Sequence, residues 1–158
     1  MNARAVAKLV GAKIGTLNAW IARGYIRGLE VGTSGKRRNI DADTALRIAI
    51  FADLIRFARY MPPEHASSLA WEIDLSKGGG FLVAPGAENY TAANPGNTRL
   101  FGAIYTPADA PGGVAATIAR LPKLPRTYVT INVDEIAEQV RQAEAEWLAR
   151  QEGKQPDG

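Results

Sequence analysis

Apolar residues recur every three or four positions through most of the first 75 residues, and every second position near residue 130. The first spacing marks amphipathic helices and the second marks a half-buried strand. Val6, Leu9 and Val10 share one face of a predicted helix over 3–10, with Asn2 as its cap and Gly11 as its stop. A second helix is predicted from Lys13 to Arg23, closed by Gly24. Two short strands, 25–31 and 36–40, follow around the turn "GTSG". Asp41 is placed to cap a helix reaching Tyr60, with Ile40 as a staple ahead of it. Pro62 or Pro63 opens another helix, "PEHASSLAWEIDL".

The texture changes at "SKGGG", residues 76–80, where glycine and proline become frequent. Strands are predicted at 81–84, 99–106 and 126–133. In the last, Val129, Ile131 and Val133 point inward, and Tyr128, Thr130 and Asn132 outward. A short helix is expected within 113–121. Asp134 is read as the cap of a final helix reaching Gln151, and the closing residues as a disordered tail. The expected organisation is α+β: a helical domain over 1–76, a small antiparallel-sheet domain over 77–152 with its own C-terminal helix, and a tail over 153–158.

The second helix carries the sharpest functional signal. At 100° per residue, Ile14, Leu17, Trp20 and Ile21 fall on one arc and are expected to face a core. The opposite arc holds Gly15, Thr16, Asn18, Ala19, Ala22 and Arg23. A helix entering a DNA major groove, about 12 Å wide, benefits from such a small face, because bulky side chains would hold it off the base edges. Thr16 and Asn18 supply hydrogen-bonding groups near the N-terminal end, where recognition helices touch bases. Lys13 and Arg23 would meet phosphates on either side. The competing reading is a helical hairpin whose small face packs on another helix. The predicted hairpin adds Arg27, Lys36, Arg37 and Arg38, suited either to phosphates and a minor groove or to a solvated hairpin tip.

Charge shifts the balance. Residues 1–60 carry eleven Lys/Arg against four Asp/Glu, and residues 61–158 carry eight against twelve. A basic front half on an acidic back half fits a polyanionic partner for the front half.

These residues resemble a known family. "AVAKLVGAKIGTLNAWIARGYI" is similar to the start of MerR-type winged helix-turn-helix domains, with Leu17, Trp20, Gly24 and Ile26 in the family's Leu–x–x–Trp/Tyr–x–x–x–Gly–Leu/Ile pattern. "GKRR" corresponds to the family's basic wing, the stretch from Asp41 to its third helix, and "PPEHASSLAWEI" to its fourth. The likeness covers roughly residues 3–76 and implies DNA binding through helix 13–23 and the 25–40 wing. The chain departs from the pattern in having Asn18 where the family often has Arg, Ile40 where an aromatic commonly ends the wing, and a sheet domain in place of the long pairing helix.

Other chemistry is sparse. The sequence has one histidine, His65, and no cysteine, so it lacks the residues for a His/Cys zinc site or a Cys–His dyad. "KGGGF" lacks the spacing of a phosphate-binding loop. Glu144 and Glu146 lie two apart on a helix and diverge. Tyr90, Tyr105 and Tyr128 could line a cavity under the sheet, or simply make cross-strand contacts. Ile136, Val140, Ala143 and Trp147 form a seam that could pair two copies or cover the sheet. "MNARAVAKLVG" is charged and lacks the apolar run of a signal peptide, and no apolar run is long enough for a membrane span, so a cytoplasmic location is expected. The expected function is sequence-specific binding of double-stranded DNA in transcriptional regulation, by a non-enzymatic protein without a cofactor, with a second copy in a homodimer as a candidate partner. The alternatives are an excisionase-like DNA-bending factor, a phage-type packaging or replication protein with an interaction domain at 78–152, and a helix-turn-helix that binds protein.

Overall fold

In a computed structural model of the 158-residue chain, the residues described are 1–29, 39–58, 61–84, 98–100, 102–121 and 128–153. They form an α+β protein with helices α1 (Ala3–Leu9), α2 (Ile14–Ala22), α3 (Ala42–Phe57), α4 (Pro63–Glu72), α5 (Gly113–Ala119) and α6 (Val133–Glu152). Strands β1 (Gly80–Val83), β2 (Thr98–Leu100), β3 (Ala103–Thr106) and β4 (Val129–Asn132) build one sheet in the order β2-β3-β1-β4. Every neighbouring pair is antiparallel. None of the described helices is long and apolar enough to cross a membrane.

The chain divides into two compact units, one of residues 1–49 with 136–158 and the other of residues 50–135. The glycine-rich change of texture at 76–80 therefore falls inside the second unit.

Most of the predicted helix ends correspond to hydrogen bonds. The Asn2 side chain accepts from the Ala5 N–H at 2.9 Å, and the Asp41 carboxylate accepts from the Thr44 N–H at 2.7 Å. Hydrogen bonds from Thr44 hold the Asp41 carboxyl below the usual range. Ile40, just ahead of this cap, is buried, and its N–H donates to the Met1 carbonyl at 2.7 Å. Pro63 opens α4 at a position that has no helical N–H partner to lose.

In the second unit β1 is buried along its whole length, as a central strand should be. Leu82 and Ile104, paired across β1 and β3, pack with Ala84 and Leu121, and α5 leans on this cluster through Val114 and Ile118. Phe81 and Tyr105 are cross-strand partners with ring centroids 5.1 Å apart. The Tyr105 hydroxyl sits against the Asp74 and Gly78 carbonyls. Burial, with Asp74, Asp134 and Asp109 nearby, pushes its phenol up to about 12.

Four expectations change. The predicted strand 99–106 is two strands, because Gly102 takes φ 78° and the chain folds back between Leu100 and Ala103. Residues 25–29 form a turn, since Gly24 and Gly28 both adopt positive φ and break extension on either side of Tyr25, Ile26 and Arg27. Helix α3 ends at Phe57, short of Tyr60. The cap of α6 is Asn132, which accepts from the Glu135 N–H at 3.2 Å. Asp134 instead accepts from the Gly79 N–H at 3.1 Å, so its carboxylate fastens the helix start to β1.

Candidate nucleic-acid interface

Helices α1 and α2 are joined by a short turn, and both close in the same way. After α1, the Gly11 N–H reaches the Lys8 carbonyl at 3.1 Å and the Ala12 N–H reaches Ala7 at 2.9 Å. After α2, the Gly24 N–H reaches Ile21 at 2.9 Å and the Tyr25 N–H reaches Trp20 at 3.0 Å. This paired six-to-one and five-to-two bonding is the Schellman motif, which needs a left-handed residue just past the helix. Gly24 supplies it with φ 75°. Each helix is thus stopped at a defined residue by bonds that its own sequence supplies.

Only Leu17 and Ile21 of α2 are buried. Gly15, Thr16, Asn18, Ala22 and Arg23 are exposed and Ala19 is half-buried. A Cβ added at Gly15 would meet nothing within 4 Å. Lys13 occupies the N-cap position of α2 with an extended backbone and an exposed side chain that makes no cap hydrogen bond. Arg27 is exposed in the turn beyond Gly24. The described residues of the expected site, Lys13, Gly15, Thr16, Asn18, Ala19, Arg23 and Arg27, therefore lie on α2 and the turn that follows it, and all but Ala19 are exposed. Lys36, Arg37 and Arg38 lie outside the described residues, as does most of the expected wing.

The arc assigned to the core is narrower than expected. Trp20 is half-buried and Ile14 is 41% exposed. A wheel gives the direction in which a side chain leaves the axis, but burial also needs a bulky neighbour at that height. Ile14 stands at the first turn of α2, next to a connection made of Gly11 and Ala12, which offer little side chain to cover it. Ile14 is thus an exposed residue that the apolar periodicity concealed. Its position directly after the cap was the available signal.

Helix α6 contributes to the same compact unit as α1 and α2. Ile136 and Val140 of the predicted seam are buried, while Ala143 and Trp147 are half-buried. A groove of about 290 Å³ is lined by Lys8 and Leu9 of α1 and by Gln142, Trp147 and Arg150 of α6. The seam therefore flanks α1 along its second half.

Tyr105 is buried and spent on backbone carbonyls, Tyr128 is 42% exposed, and Tyr90 lies outside the described residues. The second unit holds a cleft of about 480 Å³, bordered by Gly79, Thr106, Val114, Thr130 and Asp134. Asp134, on its rim, is already bonded to the Gly79 N–H. His65 is half-buried in the first turn of α4, and Trp71 meets Phe51 edge-on at 6.5 Å.

No protein-family model, curated protein or solved structure matches the chain.

Proposed function

We propose that this chain is a sequence-specific double-stranded DNA-binding protein that acts in transcriptional regulation, with α2 in the major groove. The observation that carries the reading is the open outward face of α2. If Gly15 and its small neighbours existed to let another helix of this chain pack closely, a Cβ there would meet that helix. It meets nothing within 4 Å. A face kept small and left uncovered suits a groove that must be entered. Lys13 at one end and Arg23 with Arg27 at the other are exposed where phosphates would flank such a helix. The basic excess of residues 1–60 supplies the long-range attraction. The reading is of a binding protein rather than a catalyst. A second copy of the chain would place a second α2 about 34–36 Å away, one helical turn along the duplex.

The test is binding of the full chain to mixed-sequence duplex DNA, followed by fluorescence anisotropy at increasing salt. If about five phosphates are neutralised per protomer, log K falls against log salt with a slope near −4 to −5. A flat response, with no more than weak binding, would remove the DNA reading and leave the helix pair as a protein-docking element.

A further inference from the structure

Ile14 is the α2 side chain whose exposure conflicts with its chemistry. It is a large aliphatic residue, 41% exposed, at the first helical position. Residues 14, 18 and 22 form an i, i+4 row along the helix, and Asn18 and Ala22 of that row are exposed as well. The row presents an isoleucine, a carboxamide and a methyl group. Across the whole of α2, Ile14–Ala22, there is no charged side chain.

This composition selects among base pairs. A guanine edge offers the N7 and O6 acceptors, which arginine or lysine ordinarily meets, and a cytosine edge offers an N4 donor, which a carboxylate meets. The helix carries none of these. A thymine edge offers a C5 methyl, which apolar side chains meet, and an adenine edge offers the N6–N7 pair that a carboxamide matches. Contact with a methyl would bury apolar surface on both sides, whereas contact with a cytosine amino group would strip water from a donor that Ile14 cannot satisfy.

We infer that Ile14 is a specificity-determining residue of the proposed DNA surface, packing on a thymine methyl, so that the sequence under α2 is built around A·T pairs. The inference rests on the DNA-binding reading above and names the class of site that reading requires.

The experiment uses the full chain to select from a random duplex library. Affinity is then measured for the selected duplex and for versions in which each thymine is replaced in turn by uracil, which deletes only the methyl. The selected sites are expected to be A·T-rich where α2 docks, and one uracil replacement should weaken binding about 4-fold, the equivalent of about 0.8 kcal/mol for one buried methyl. Ile14→Ala should bind uracil and thymine versions equally at that position while melting at the same temperature as the parent chain, and Ile14→Val should keep the discrimination. A G·C consensus, unenriched binding, or a thymine preference that survives in Ile14→Ala would overturn the inference and leave DNA binding standing. A change of oligomeric state in Ile14→Ala without a change in base preference would overturn it in favour of contact with a second copy. Failure to bind any duplex would overturn both readings.

Discussion

Two glycines of this chain, Gly15 and Gly79, have opposite surroundings. At Gly15, on the outward face of α2, an added Cβ would find open space. At Gly79, where the chain enters β1, an added Cβ would lie 2.1 Å from the Thr106 carbonyl oxygen and 2.7 Å from the Ala108 nitrogen. The first glycine has open space beside it, and the second is required by what is already there. A small residue is thus forced by its neighbours at Gly79 and by none of them at Gly15, where the proposed DNA contact is the reason offered for it.

Placing alanine at three glycines turns this contrast into measurements. The largest effect is expected at Gly79, where φ is 97° and backbone atoms occupy the added volume. Gly79→Ala combines a strained backbone of about 1–3 kcal/mol with an overpacking cost of similar size, and should lower the melting temperature strongly. If Gly79→Ala melts like the parent chain, the close packing of β1 against Thr106 is wrong. Gly24→Ala should be intermediate. It meets no atom within 4 Å but must still hold φ 75°, so only the left-handed cost of about 1–2 kcal/mol applies. A loss much larger than this in chemical denaturation would mean that Gly24 is crowded as well as strained. Gly15→Ala should give the smallest effect and one of opposite sign. Alanine in a helix is favoured over glycine by up to about 1 kcal/mol, so the variant should be slightly more stable. Its affinity for duplex DNA should nevertheless fall, because the methyl stands between backbone and groove. Gain of stability with unchanged DNA affinity would detach the small face of α2 from DNA binding.

Where local chemistry alone decides a conformation, the sequence was readable. Asn2, Gly11 and Gly24 delimit α1 and α2 through bonds to their own neighbours, and Asp41 does the same for α3. The alternation around Ile131 gave the half-buried character of β4, with Tyr128 and Thr130 outward. Distant partners are what periodicity could not supply. Asp134 has the composition and position of a helix cap, but the Gly79 N–H, 55 residues away in sequence, takes its carboxylate, and Asn132 becomes the cap. Tyr25 and Ile26 have strand propensity, but the positive φ values at Gly24 and Gly28 turn the chain first. Gly102 likewise divides a continuous apolar run into two strands. At the candidate site, the small exposed residues were legible because the wheel places them opposite Leu17 and Ile21. Ile14 was not, because an apolar residue on the inward arc is legible as core only if something covers it.

Because only Leu17 and Ile21 of the nine residues in α2 are buried, the helix divides the labour of its side chains. Two hold it in place, and the closing bonds after Ala22 are made by main-chain groups whose geometry depends on Gly24. Ala19 and Trp20 are half-buried, and Ile14, Gly15, Thr16 and Ala22 are exposed, where substitutions cost little stability. If α2 reads DNA as proposed, substitutions at its exposed positions 14, 15, 16 and 22 would change the target at small cost to the fold, and recognition could then evolve faster than the fold that carries it.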